Sequence, residues 1–359
     1  MNGSHKGRLK VYLGYAAGVG KTYQMLVDAH ELRRKGVDVV IAYFEPHGRQ
    51  DTIAKSEGLE RVPARILEYG GARFDEMDTG AVLRRKPAVA VVDEFAHTNV
   101  PGSEREKRWQ DVHVLLDAGI DVLTTVNVQH LESLNDHIRA VTGVRVRETV
   151  PDWVIADADE VVLVDLTPRA LRNRLERGVV YSPDKARQAL ENFFTESNLS
   201  ALRELALRQA AHEVEEKISK PAGIASAAGA GERVLICLTG SPSSAILIRR
   251  GKRVADYLQA DCLAVHVMVQ GRPEADAAVE QQLRFARNLR IETRLAEGHD
   301  VPRTIAEVAH QERVTQIFLG RSEHRPKWNW LGETIVQQVV RLARDVQITV
   351  VARRNQRLT

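Results

Sequence analysis

Residues 14–22, "GYAAGVGKT", decide how the rest of the chain is read. The P-loop pattern asks for Gly, or commonly Ala, five residues before a final Gly-Lys pair that is followed by Ser or Thr. Counting back from Gly20 lands on Tyr15, with Gly14 one place too early. Either this is a phosphate loop with an altered entrance or it is a Gly-rich turn of no special chemistry. Its flanks favour the first. "LKVYLGY" (9–15) reads as a buried strand, and "KTYQMLVDAHELRRKG" (21–36) as a helix stopped at Gly36 behind basic residues. Strand, Gly-rich turn and helix N-terminus together let backbone N–H groups converge on phosphate oxygens. In this reading Gly14, Gly18 and Gly20 permit the turn, while Ala16, Ala17 and Val19 keep it small. Lys21 places an ammonium on the β- and γ-phosphates of a nucleotide, and Thr22 a hydroxyl on Mg²⁺.

A second signal lies some 70 residues on, in "PAVAVVDEFAHT" (87–98). This apolar strand ends at Asp93-Glu94. In P-loop proteins an Asp so placed holds Mg²⁺, and a following Glu can polarise an attacking water, which makes Glu94 the candidate catalytic group. An acidic pair at a strand end is otherwise a solvated terminus or helix cap; the preceding loop tips the balance towards nucleotide binding. Arg105, Lys107 and Arg108 in "HTNVPGSEREKRWQDV" either reach phosphates or form a solvated loop. Thr125, Asn127, Gln129 and His130 end the next strand, and His47 in "EPHGR" follows the second one. All fall at the sheet edge where open α/β folds bind ligands. Asn127 is open to two readings, ligand contact or helix N-cap.

The surrounding pattern alternates short apolar runs with amphipathic segments. Strands are expected near 9–15, 37–44, 88–93, 120–126 and 160–165, then at "RVLICLTG", "CLAVHVMV", "IETRLA", "TQIFLG" and "QITVVAR". Continuous apolar runs, not strict alternation, mean strands covered on both faces and hence parallel sheets. The expected fold is therefore two doubly wound α/β domains. The first, residues 1–217, ends in a helical extension from about residue 168. The second is residues 233–359. "ISKPAGIASAAGAGE" (218–232) is the one small-residue stretch suited to a flexible linker.

Bulk properties narrow the class. The 359 residues are 43% hydrophobic and 28% charged, ordinary for globular chains. No apolar run is long enough for a membrane span, and the polar start "MNGSHKGRLK" has no secretory h-region. Cys237 and Cys262 stand in apolar runs and give no disulfide framework, which fits a reducing cytoplasm. Residues 1–230 carry 31 Lys and Arg against 34 Asp and Glu, and residues 231–359 carry 20 against 14. An acidic first domain does not suit a surface that tracks nucleic-acid phosphates, so a helicase-like reading of "DEFAH" is disfavoured.

In order, "AGVGKT", "EPHGR", "VDEFAHTNVPGS", "KRWQD", "AGIDVLTTVNVQHLESLND" and "TGVRVRETVPD" resemble the cytoplasmic N-terminal region of the KdpD sensor kinases, bacterial potassium and turgor sensors. The resemblance covers most of residues 8–215. It implies a nucleotide-binding input module that shifts the balance of kinase and phosphatase outputs. Gly14 to Thr22 would be its phosphate loop and Asp93-Glu94 its second acidic motif. It also implies a histidine-kinase core or response regulator as partner, and anchoring of full-length members at the inner membrane. This chain stops at Thr359 without a kinase core, as a fragment or a free-standing input protein would. The alternative function is a stand-alone NTPase or phosphotransferase.

The second domain resembles the universal-stress-protein-like module that follows in these kinases. Stress proteins that bind ATP show Gly-x₂-Gly-x₉-Gly followed by Ser or Thr. Here Gly320 is followed by Glu323, Glu333 stands where the third Gly belongs with Gly332 one place early, and Thr239 replaces an acidic residue. ATP is therefore expected in the first domain only. Some kinases of the family bind a cyclic dinucleotide in this module through a Ser-x-Ser turn, which Ser241 and Ser243 match; an N-cap turn explains the same serines. Trp328 and Trp330 either meet a partner protein or pack on the sheet.

Overall fold

A computed structural model describes residues 6–178, 180, 189–190, 192–219, 231–269, 277–320 and 333–351. The chain divides into two compact units, residues 1–221 and 222–359.

In the first unit, β1 (Leu9–Gly14) leads through the glycine loop into α1 (Lys21–Arg34), then β2 (Val39–Tyr43), α2 (Gln50–Ser56) and the short β3 (Glu60–Arg61). An antiparallel pair, β4 (Arg65–Tyr69) and β5 (Ala72–Glu76), precedes α3 (Thr79–Arg85), β6 (Val89–Val92), α4 (Arg108–Asp117) and β7 (Asp121–Asn127). The unit continues with α5 (Asn135–Thr142), α6 (Asp152–Ala156), β8 (Glu160–Leu163), α7 (Pro168–Glu176) and the long α8 (Glu196–Ser219). Six strands form one sheet in the order β3-β2-β6-β7-β1-β8, with every pairing parallel.

Successive residues of a strand point to opposite faces, and both faces of this sheet are covered. Leu9, Val11 and Leu13 of β1 join Ala90 and Val92 of β6 in one core, with Val112, Leu115 and Leu116 of α4 and Leu199 and Leu202 of α8. Tyr12, Val89 and Val91 face the other core, against Met25, Leu26 and Ala29 of α1. Each fully buried Val, Leu or Met among them is worth roughly 1.5–3 kcal/mol relative to exposure. The expected helical extension is present as α7 and α8, which pack on each other and, through α8, on β8 and β1.

In the second unit, β9 (Arg233–Cys237), α9 (Ser244–Leu258), β10 (Asp261–Val269), α10 (Ala277–Asn288), β11 (Glu292–Gly298), α11 (Val301–Gln311), β12 (Gln316–Gly320), α12 (Ile335–Leu342) and β13 (Gln347–Val351) alternate. The sheet runs β11-β10-β9-β12-β13, all parallel. This is the dinucleotide-fold order without its last strand. Val234 and Ile236 pack under α9 and α10, and Leu235 and Cys237 under α11 and α12. Both domains are thus parallel sheets wound on both faces, as the apolar runs predict.

Two expectations need correction or placement. The linker expected over 218–232 begins inside α8, which runs to Ser219, and residues 220–230 lie outside the described residues. Glu323, Trp328, Trp330 and Gly332 also lie outside them.

Candidate functional site

Because β1, β7, β6 and β2 are neighbours and parallel, the segments that leave their carboxyl ends share one edge of the sheet. Those segments are the glycine loop, "NVQH", "DEFAHT" and "EPHGR". The topology therefore gathers Gly14 to Thr22, Asn127, Asp93, Glu94 and His47 from across 114 positions of sequence, from Gly14 to Asn127.

The loop turns back through Gly18 and Gly20, at φ 90° and 108°, dihedrals that a side chain would strain. Gly20 is the N-cap of α1 and leaves the helix's first N–H groups without a side-chain cap. Gly14 is small for a different reason: a Cβ there would lie 2.7 Å from Val19 Cγ2 and 2.9 Å from Lys21 Cδ. The lysine stem crosses directly over it. Val19 is buried and Ala17 half-buried, so the loop is packed from behind.

Tyr15, the mismatch in the motif, is 1% exposed. Its hydroxyl donates to the Leu166 carbonyl at 2.8 Å. Burial, and secondarily Asp165, push its pKa to about 12, so it stays neutral. Where small residues usually begin the loop, this chain has an aromatic anchor that ties the loop to the segment after β8. Val180 and Leu171 of that extension pack over Gly18, at 2.6 and 3.1 Å from where its Cβ would be.

Lys21 is buried, and its Nζ donates to Asn127 Oδ1 at 2.5 Å and to the Ala16 carbonyl at 3.3 Å. Burial lowers its pKa to about 8, against the pull of Asp93 and Glu94. Asn127 does precede a 3₁₀ turn, Val128–His130, yet makes no side-chain cap there; its amide oxygen is committed to the lysine. Asp93 is 2% exposed and its Oδ1 accepts from Thr125 Oγ1 at 2.5 Å and from Thr22 Oγ1 at 3.3 Å. Burial and the Glu94 charge raise its pKa. A hydroxyl and a carboxylate so paired are hard oxygen donors of the kind Mg²⁺ accepts alongside phosphate and water. Among the described residues no group of three or more His, Cys, Asp or Glu could hold a metal alone.

Glu94 takes φ 58° and His47 φ 48°, left-handed backbone that costs non-glycine residues energy. Their side chains meet: His47 Nε2 lies 3.0 Å from Glu94 Oε1. Burial would raise the Glu94 pKa, but the His47 hydrogen bond and charge, with Lys21, bring it down to about 2. The same bond raises that of His47. His130, on the neighbouring strand end, hydrogen-bonds the Glu148 carbonyl through Nδ1 at 2.8 Å, and burial lowers its pKa. A carbonyl only accepts, so Nδ1 carries the proton and Nε2 keeps its lone pair.

Of the basic run 105–108, Arg108 fits neither reading the sequence left open, while Arg105 and Lys107 stay partly exposed. Arg108 opens α4 and is 1% exposed. It is neither solvated nor turned to a ligand: its Nη2 bonds Glu76 Oε2 at 2.9 Å, and its guanidinium lies 3.6 Å above the Tyr43 ring. Glu76 in turn takes His97 Nε2 and the Val100 N–H, each at 2.9 Å. Arg105 pairs with Asp111 at 2.9 Å, and Lys107 donates to Thr98 Oγ1 at 2.6 Å. This cluster braces the turn that carries Asp93 and Glu94. No sequence signal singled out Glu76, which ends a strand of the unforeseen β4–β5 pair.

In the second unit Ser243 is the N-cap residue of α9 but makes no side-chain cap. Ser241 and Ser243 instead bond each other at 2.8 Å, and Ser244 Oγ donates to the Thr239 carbonyl at 2.8 Å. Cys237 and Cys262 are free thiols, both pushed up to about 12 by burial.

Residues 5–214 match the family model described as KdpD, osmosensitive K⁺ channel His kinase sensor domain. A "Putative sensor protein KdpD" of Synechocystis is 44% identical over 351 residues, which cover 97% of this chain and 94% of that protein. The "Sensor protein KdpD" of Mycobacterium tuberculosis is 46% identical over 90% of this chain and 38% of its own length. That of Escherichia coli is 43% identical over 97% of this chain and 40% of its own length. The chain thus spans nearly all of the Synechocystis relative and about two fifths of the other two. Among solved structures, a universal stress protein in complex with cAMP is 19% identical over 34% of this chain, with a TM-score of 0.29.

Proposed function

The chain belongs to the KdpD sensor-domain family, and on that premise we propose that its first domain is an ATP-binding signal-input module of a two-component potassium and turgor sensor. The observation that carries the reading is the convergence on one sheet edge of a left-handed glycine turn, a buried lysine and a threonine paired with a buried aspartate. Three features fit the nucleotide. The uncapped N-terminus of α1 and the loop N–H groups suit phosphate oxygens. Lys21, held by Asn127, would exchange that partner for the β- and γ-phosphates. Thr22 and Asp93 would hold Mg²⁺, which would neutralise phosphate charge.

Regulation fits this geometry better than rapid turnover. A carboxylate with a pKa of about 2 is a weak base, and Glu94 is engaged by His47. The His47 contact on Oε1 stabilises the Glu94 charge and so weakens it as a base towards water or an acceptor hydroxyl. ATP would act by binding two conformations of the domain unequally, a bias read by a histidine-kinase core or a response regulator. Tyr15 and Gly18 give such a bias a route, since both touch the extension that leads into α8.

The test is calorimetric titration of the chain with ATP·Mg²⁺, with phosphate release followed in the same sample. Binding with negligible release supports the input module. Sustained release that disappears in Glu94→Gln favours the stand-alone NTPase or phosphotransferase, and absence of binding rejects nucleotide recognition altogether.

A further inference from the structure

Among the described residues no carboxylate pairs with Arg49, a cation at this site. Arg49 closes "EPHGR", the segment that follows β2, and is the N-cap residue of α2. β2 pairs in parallel with β6, so Arg49 leaves the same sheet edge as Asp93 and Glu94. It is close enough to Lys21 and to His47 for its charge to oppose protonation of both. Its Nε is buried and has no hydrogen-bond partner among the described residues. The arginines that flank the Asp93–Glu94 turn are engaged, Arg108 with Glu76 and Arg105 with Asp111. A buried donor left unpaired costs free energy and calls for a missing acceptor. The mutual repulsion of the half-buried Arg49 and the Lys21 ammonium adds to that cost unless an anion enters.

We propose that Arg49 reads the terminal phosphoryl group of a bound nucleoside triphosphate, donating from its guanidinium to a non-bridging oxygen. This rests on the nucleotide-binding reading above and adds what distinguishes triphosphate from diphosphate. Lys21 and the loop N–H groups approach from the β1 side and hold the β-phosphate, which both nucleotides possess, while Lys21 reaches the γ-phosphate only from the side of the loop. Arg49 follows β2 on the same sheet edge, and in this proposal its guanidinium meets the terminal phosphate that only the triphosphate carries. A planar guanidinium suits this role because its fork matches phosphate oxygens, whereas lysine offers a point charge. Since Arg49 is two residues from His47, the same contact would draw on the segment that holds Glu94. The state of the terminal phosphate would then be sensed at the His47–Glu94 pair.

The experiment is calorimetric titration of ATP·Mg²⁺ and ADP·Mg²⁺ into the wild-type chain and into Arg49→Ala, Arg49→Lys and Lys21→Ala. A lost charge-assisted contact predicts that Arg49→Ala weakens ATP by about 10- to 100-fold and ADP by less than about threefold. Arg49→Lys should keep part of the preference for ATP. Lys21→Ala should lose both nucleotides. Equal weakening of ATP and ADP in Arg49→Ala, or no change in either, overturns the proposal while leaving nucleotide binding standing. A lower melting temperature with an unchanged ATP:ADP ratio assigns Arg49 a structural role and likewise overturns it. Wild type that binds neither nucleotide overturns both readings together.

Discussion

Tyr15 occupies the position where the phosphate-loop pattern asks for Gly or Ala, and its substitution separates anchoring from ligand contact. The side chain is 1% exposed and belongs to the core formed by β1, β6 and α4. Tyr15→Phe keeps the ring and removes one hydrogen bond, leaving the Leu166 carbonyl without its 2.8 Å donor. That loss is worth about 1 kcal/mol. Tyr15→Ala also empties the ring's volume, and truncation of a buried aromatic costs roughly 3–5 kcal/mol. With the hydrogen bond included, about 5 kcal/mol is expected, against a total of some 5–15 kcal/mol for an ordinary domain. For a domain of this size each kcal/mol moves the melting temperature by about 2–4 °C. Thermal unfolding of the first domain should therefore shift by about 2–4 °C in Tyr15→Phe and by about 10–20 °C in Tyr15→Ala. Below its transition, Tyr15→Phe should bind ATP as wild type does, because the hydroxyl faces Leu166 and not the loop's interior. A Tyr15→Ala domain within about 1 kcal/mol of wild type would refute the anchoring role. Loss of ATP binding in a fully folded Tyr15→Phe would show that the hydroxyl serves the ligand.

Two further predictions concern the groups that hold Glu94 and its turn. Arg108→Met should destabilise the first domain by about 3 kcal/mol, the low end for a broken buried pair because Glu76 keeps His97 and the Val100 N–H. Urea unfolding measures it, restoration of part of the loss by Glu76→Gln in the same chain is expected, and a change under 1 kcal/mol contradicts the bracing role. For the His47–Glu94 pair, the His47 contribution is complete below 6.5 and fades as pH rises through its raised folded pKa. The Glu94 contribution is complete above 4.5 and fades as pH falls towards about 2. The pair is therefore fully formed between 4.5 and 6.5 and weakens on either side. In an NMR titration His47 should show a midpoint above 6.5 that drops in Glu94→Gln; an unchanged midpoint would dissociate the two residues.

Much of this architecture is written in local apolar runs. Runs such as "VYLG" and "VAVV" have no polar alternation, so both faces must be covered, and the parallel sheets follow from that. The left-handed turn at Gly18 and Gly20 was legible for the same reason: it depends on near neighbours in sequence. What could not be read depends on partners far along the chain. Arg108 looks like any member of a charged run until Glu76 and Tyr43 arrive from other elements to bury it. The β4–β5 pair carries half-exposed side chains, including Tyr69 and Phe74, and lacks the buried run that marks the other strands. Arg49 in "EPHGR" looks like a solvated loop cation until the fold encloses its Nε with no acceptor among the described residues. Asn127 fitted two roles equally until Lys21 was found on its oxygen.

The central claim is that Lys21 serves a nucleotide at the loop, and the most direct measurement is calorimetric titration of wild type and Lys21→Ala with ATP·Mg²⁺. Far-ultraviolet circular dichroism on both samples confirms the fold. The account predicts one-site binding in wild type and no binding heat in a folded Lys21→Ala. Silence in wild type, or undiminished affinity in the variant, would contradict it.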